Sequence, residues 1–374
     1  MLSNLRPRAA LTAVAIAAAT VLASCSTPPP PPPPPVVQAP PAPPPITLSN
    51  KVVERASAFR GYMQRAGSIT PDFQNGDQIQ ASLKVGVGYE QKHFLSGAMS
   101  YGAVLALQDP TFVASVRAFA ADPAQRQQVI NQLIADPAYA VGFKGSDTAA
   151  ARIIDTLGAD GLKVYDAGKK VKQAAYDVQR ATWSKAAVTD RDGRLAYAKS
   201  ASATPALADT ADVAQLQQAS LATVSAPPAA APAASPAASI DAALASTVPA
   251  GPRSAPPPYR PLVIRSLAVA ALAALGAAGD ENLPTIEAIM AEPSAGSCLN
   301  MAKLNLYQCL AVSKPHYEDI FCLGQHIMID TGACVIKASG APMPVEPLPP
   351  PPPEKPTAKK KPAAKPAAAK KKKA

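Results

Sequence analysis

Cysteine and histidine are the residues of this chain with the strongest latent chemistry, and both are few: five Cys and three His in 374 residues. Cys25 stands alone near the N-terminus, whereas Cys298, Cys309, Cys322 and Cys334 cluster towards the other end. An even, clustered set reads as disulfides if the chain is exported to an oxidising compartment. Structural zinc is the competing chemistry, with His316 and His326 close by. Zinc sites, however, draw on cysteines two to four residues apart, and none here are so spaced. The expectation is therefore two disulfides, with no metal and no cofactor.

Geometry restricts how the four cysteines pair. Cys298 and Cys309 are eleven apart, close to three helical turns, so both sulfurs would face one side. Their Cα atoms would then lie about 16 Å apart, whereas a disulfide needs them within roughly 7 Å. If both cysteine-bearing segments are helical, sequential pairing is excluded. An antiparallel hairpin then gives Cys309–Cys322 near the turn and Cys298–Cys334 at the open end. Cys322 and Cys334 are twelve apart, which predicts a bend or a helix end near Gly332. The arrangement resembles the twin-CX9C helical hairpins, with ten and eleven intervening residues in place of nine. That resemblance reaches the pairing and not the function.

Catalytic constellations are weak. No G-x-S-x-G, H-E-x-x-H or S-x-x-K with companion motifs occurs. The best acid and base pair is Glu90 with His93, one helical turn apart beside Tyr89, but a surface or satisfied interfacial histidine is the simpler account. V-G-V-G-Y-E, at 85–90, lacks the third glycine and the preceding strand of a phosphate loop. His316, Tyr317, Glu318 and Asp319 read as a polar tip on the hairpin, suited to recognition. The sequence does not point to an enzyme.

The elements that must position these residues read as all-α, a bundle of short helices plus the disulfide-linked hairpin. Leu48, Val52, Val53, Ala56 and Phe59 recur at helical spacing behind Ser49 or Asn50 as cap. A second helix is expected over 77–87, or continuing with breaks to Tyr101. Asp109-Pro110, Asp122-Pro123 and Asp136-Pro137 should each open a helix, because Asp accepts from first-turn amides and Pro at the first position loses no hydrogen bond. A helix from Ser146 or Asp147 should be interrupted at Gly158 and Gly161. The longest should then run from Leu162 to Val188, with Trp183 on its apolar stripe. Leu262–Ala278 is apolar but short for a membrane span of about twenty residues, so it reads as a buried core helix.

Composition shifts divide the chain. Residues 47–221 form the main helical domain, and 222–258 an Ala/Pro/Ser linker with few bulky apolar residues. Residues 259–338 form a smaller helical part, expected to pack back onto the larger one. The formal net charge of +10 is uneven: Arg6 and Arg8 carry two and residues 354–374 a net eight, leaving 25–353 neutral. A neutral body argues against a nucleic-acid binder, which would spread cations over one face.

The N-terminus supplies an address. Arg6 and Arg8 precede an apolar run from Ala9 to Val21, and Leu22-Ala23-Ser24-Cys25 follows, the order of a signal peptide with a small-residue cleavage site. L-A-S-C resembles the lipobox of bacterial lipoproteins. The resemblance implies cleavage after residue 24, lipid on Cys25 and, with Ser26 rather than Asp next, placement in the outer membrane with a periplasmic body. Several acyl chains, at about 0.8 kcal/mol per buried methylene, would make the anchoring lasting. Residues 25–46 form a spacer with eight consecutive prolines, at 28–35. As polyproline II, twenty such residues would reach about 60 Å.

The other end is cationic. From 339 the chain becomes rich in Pro, Ala and Lys, and Lys355, Lys359, Lys360, Lys361, Lys365, Lys370, Lys371, Lys372 and Lys373 close it. Such a segment repels itself and is expected to stay disordered until it meets anions. In a cell envelope those are peptidoglycan carboxylates and lipopolysaccharide phosphates. Murein lipoprotein ends in a lysine joined to peptidoglycan; here Ala374 follows Lys373, which favours reversible charge pairing. The expected function is a non-enzymatic outer-membrane lipoprotein that tethers or organises the envelope. The alternative is a subunit of an envelope complex whose protein partner docks on the body and the hairpin, and a hydrolase rests on the least.

Overall fold

A computed structural model describes residues 42–221 and 253–345. The signal segment, Cys25, most of the spacer and linker, and the nine tail lysines lie outside these residues. Within them the fold is all-α, with no strand. Helix α1 (Asn50–Gly67) starts where the Ser49 hydroxyl accepts from the Lys51 amide, and side chains of Asn75 and Glu90 cap α2 (Gly76–Val87) and α3 (Gln91–Leu107). The break at Gly88 thus separates two helices.

Asp109 and Asp122 cap α4 (Pro110–Arg117) and α5 (Pro123–Ala135) by accepting first-turn amides, each with Pro at the first position. Asp136 accepts from Ala138 likewise but opens only a 3-10 turn, Pro137–Gly142, because the chain reverses at Gly145, whose φ of 84° suits glycine. There follow α6 (Ser146–Asp177), α7 (Thr182–Lys185), α8 (Arg191–Ser202) and α9 (Thr210–Leu221). After the linker come α10 (Pro261–Ala274), α11 (Leu283–Met290), α12 (Pro293–Val312) and α13 (His316–Ser339).

Helices α3 and α10 lie at the centre and cross closely at Gly102, where a Cβ would come within 2.4 Å of the Ser266 Oγ. From Phe94 to Leu107 only Ser96 is not fully buried, and α10 buries eleven of its fourteen residues. Burial of Leu262, Val263, Leu267, Val269 and Leu272 stabilises by about 2 kcal/mol apiece, an upper figure because the unfolded chain is already partly collapsed. This helix is the bond between the two body segments, which share one core. It ends at Ala274, four residues before the expected Ala278, where Gly276 takes φ of 72°.

Two expectations fail for one reason. Gly158 and Gly161 do not interrupt α6, which runs unbroken for 32 residues and stops before Trp183. Instead Gly161 and Gly168 face α13, and Gly324 and Gly332 of α13 face back. A Cβ on Gly332 would stand 2.7 Å from the Gly161 carbonyl oxygen, and one on Gly324 2.5 Å from the Lys172 amide nitrogen. Each Gly costs about 1 kcal/mol in a helix interior relative to Ala, and backbone contact between the two helices offsets it.

Nor does α13 bend or end at Gly332. It is π-helical over Leu323–Ile329, and a π turn takes more residues than an α turn, so twelve residues return Cys322 and Cys334 to one side. By length and composition α13 could cross a membrane, but 67% of its most apolar stretch is buried in the body. Residues expected in the spacer, linker and tail also pack on the body. Ile46 is in the core, Arg253 pairs with Asp155 at 3.1 Å, the Ala255 amide donates to the Asp147 carbonyl, and Ser339 is buried.

Candidate functional site

The hairpin is α12 laid antiparallel on α13. Cys309–Cys322 closes the turn end with Cα atoms 5.7 Å apart, and Cys298–Cys334 closes the open end at 5.8 Å. All four cysteines are thereby used. Among the described residues no group of three His, Cys, Asp or Glu side chains could hold a metal. His326 sits 3.0 Å from Asp330, and His316 packs on Gly76.

The hairpin tip packs against the body. Arg191 donates to the carbonyls of Ser313 and Ala311, both at 2.8 Å, and Arg194 donates to that of Leu310 and pairs with Asp319. Two guanidiniums thus satisfy the last carbonyls of α12, as cations at a helix C-terminus should. Val188 donates to the Lys314 carbonyl and His316 to that of Ala186. The tip is spent on docking to the segment before α8, and Asp319 is fully buried.

Further along α12, Lys303 is buried. Its ammonium donates to the carbonyls of Tyr89 and Ser202 and lies 4.0 Å from the centroid of the Tyr89 ring. It joins the α2–α3 junction, the end of α8 and the hairpin. Burial pushes it down to about 8, against the pull of Glu90. Above it Tyr62, Tyr89 and Phe94 stack edge to face or tilted within 5.3 Å, and the Tyr89 hydroxyl shares a hydrogen bond with Thr331 at 3.1 Å.

The Glu90 and His93 pair is formed, but as a helix start. Glu90 accepts from the amides of Lys92 and His93 and lies 3.3 Å from the imidazole Nδ1. Burial pulls its carboxyl up, yet these donors together hold it below the ordinary value. His93 is 49% exposed. Ser96, one turn on, donates to the His93 carbonyl rather than to the ring, so no nucleophile faces the base. This turn does line a cleft of about 640 Å³ between α1, α3, the end of α11 and the start of α12. Within it Arg55 pairs with Glu287, and Gln91 donates to the Gly296 carbonyl.

The fold and these sites define an all-α, disulfide-braced helical body with a polar-rimmed cleft. No family model matches the chain, and no curated protein or solved structure matches it either. Sequence reading passed over Arg55, Arg194 and Lys303. Lys303 left a signal, as the single charged residue between Pro293 and Val312.

Proposed function

We propose that this chain is a non-enzymatic outer-membrane lipoprotein, anchored through Cys25, whose periplasmic body carries a cationic tail to a second, anionic envelope layer. The observation that supports it most is where the body's two ends leave. The entering segment lies on the C-terminal end of α10: Arg117 donates to the carbonyls of both Pro44 and Ala274, and Thr47 to that of Ala273. The departing segment, at Gly340, packs by Arg260 at the N-terminal end of α10. Fourteen helical residues, about 20 Å, separate the two. A body whose entering and departing segments lie at opposite ends of one buried helix suits a bridge.

The test uses the full chain and one lacking 354–374, sedimented with purified sacculi at low and high salt. Binding of the full chain alone, lost at high salt, supports the tether, since charge pairing is screened. Equal binding by both forms removes it. Loss of metabolic lipid labelling in Cys25→Ala tests the anchor.

A second reading, a subunit of an envelope complex, is favoured by the outer face of α12. Lys303 points inwards, and Met301 at 54% and Val312 at 73% exposure stand on a face with no charge. Crosslinking in cells that depends on Leu304, also exposed, and not on the tail would favour this reading over the tether.

A further inference from the structure

The cleft at the start of α3 has the makings of a ligand site independent of tail and anchor. Its volume, about 640 Å³, falls within the few hundred to a thousand Å³ that small-molecule sites occupy. Leu95 and Met290 line it, so a guest would rest against apolar side chains. The rim is polar, and most of its polar groups are already committed. Arg55 holds Glu287, Gln91 holds the Gly296 carbonyl, the Ser96 hydroxyl donates to the His93 carbonyl, and Glu292 is engaged.

Two groups remain. The Lys92 ammonium has no carboxylate partner among the described residues, and His93, held to Glu90 through Nδ1, can donate from Nε2 to an anion when its ring is protonated. Both belong to the first turn of α3, the positive end of that helix, which adds to their preference for an anion. Glu90 at the cap keeps its negative charge while it accepts from the two amides and so offsets that field, which leaves the Lys92 ammonium as the main attraction for an anion. A cationic guest would have to compete with Arg55 for Glu287.

We infer that this cleft binds a small monoanionic amphiphile, with its apolar body on Leu95 and Met290 and its carboxylate against Lys92 and His93. One uncommitted cation beside one imidazole matches a single carboxylate better than a multiply charged group. The apolar lining requires a body of ring or short-chain size rather than a bare anion.

Fluorine NMR with the full chain tests this, using 4-(trifluoromethyl)benzoate as probe and the matching benzyl alcohol and benzylammonium as controls. Saturable binding of the benzoate, at least tenfold tighter than either control, is expected. Lys92→Ala should weaken it about tenfold, Lys92→Arg should largely retain it, and Ser96→Trp should block it by filling the rim. Lys92 is exposed, so unchanged thermal unfolding of Lys92→Ala separates lost binding from lost fold. Absence of saturable benzoate binding overturns the inference. So does an alcohol that binds as well, or a benzoate affinity indifferent to both Lys92→Ala and Ser96→Trp.

Discussion

Arg194 of α8 and Asp319 of α13 form an ion pair in which the side chains are 3% and 0% exposed. Asp319 also accepts from Ser313 and Gln80, and Arg194 from its other nitrogen donates to the Leu310 carbonyl. Breaking a buried pair leaves an uncompensated charge, which costs about 3–5 kcal/mol. Arg194→Met or Asp319→Asn should each lower the unfolding free energy measured in urea by that order. Arg194→Met with Asp319→Leu should recover part of the loss, because no charge is then stranded. A surface-like loss under 1 kcal/mol in either single variant would contradict the packing described.

The two disulfides should differ in worth. Cys309–Cys322 closes a separation of 13 residues and Cys298–Cys334 one of 36. Loop-closure entropy then gives about 3 and about 4 kcal/mol respectively. Paired Cys→Ser variants, unfolded in urea without reductant, check the order. Peptide mapping of the unreduced chain checks the connectivity, since a linked 298–309 pair cannot arise from this fold.

Glycines that look alike in sequence should respond in opposite directions. A Cβ on Gly324 meets the backbone of Lys172 at 2.5 Å, and backbone cannot swing aside. Gly324→Ala should force α6 and α13 apart and destabilise by about 1–3 kcal/mol despite the better helix propensity of Ala. Gly142, with nothing within 4 Å of its missing Cβ, should tolerate Ala, with a gain of up to about 1 kcal/mol. Thermal unfolding of the two variants side by side reads the contrast.

The same contrast explains what could be read from the chain and what could not. Ser49 and the Asp-Pro pairs at 109 and 122 act within one turn, so local chemistry marked those helix starts, whereas the caps at Asn75 and Glu90 were not read from the sequence. The cysteine pairing also followed from local geometry, since rise per residue alone forbids Cys298–Cys309. Gly158, Gly161 and Gly332 misled, because a glycine that ends a helix and one that admits a neighbouring helix are identical in sequence. The choice is made by a partner more than 150 residues away. The polar hairpin tip misled likewise: Asp319 is polar in order to meet Arg194, 125 residues earlier. The cleft was reached only through Glu90 and His93, because Arg55, Met290 and Gly296 are distant in sequence and become neighbours when α1, α3, α11 and α12 pack.

Lys303 gives the fold a pH dependence of unusual sign. Its ammonium is pushed by burial to about 8, below the ordinary 10.5. Between these two values the unfolded chain holds a proton that the folded chain has released, so stability must rise with pH across that window. The full gap corresponds to about 3 kcal/mol, of which about 2–3 should appear between pH 7 and 10. Above pH 10 the trend should reverse. Burial raises the phenols of Tyr62, Tyr89 and Tyr101, so the unfolded chain then loses protons that the folded chain keeps. Lys303→Met should remove the rise while leaving the fall. It should also destabilise at pH 7, because the carbonyls of Tyr89 and Ser202 lose their donor, at about 1–3 kcal/mol for each one left unsatisfied. Urea unfolding at pH 7, 8.5 and 10 resolves these contributions. A wild-type profile that falls steadily from pH 7 would show that Lys303 is not desolvated as its surroundings require.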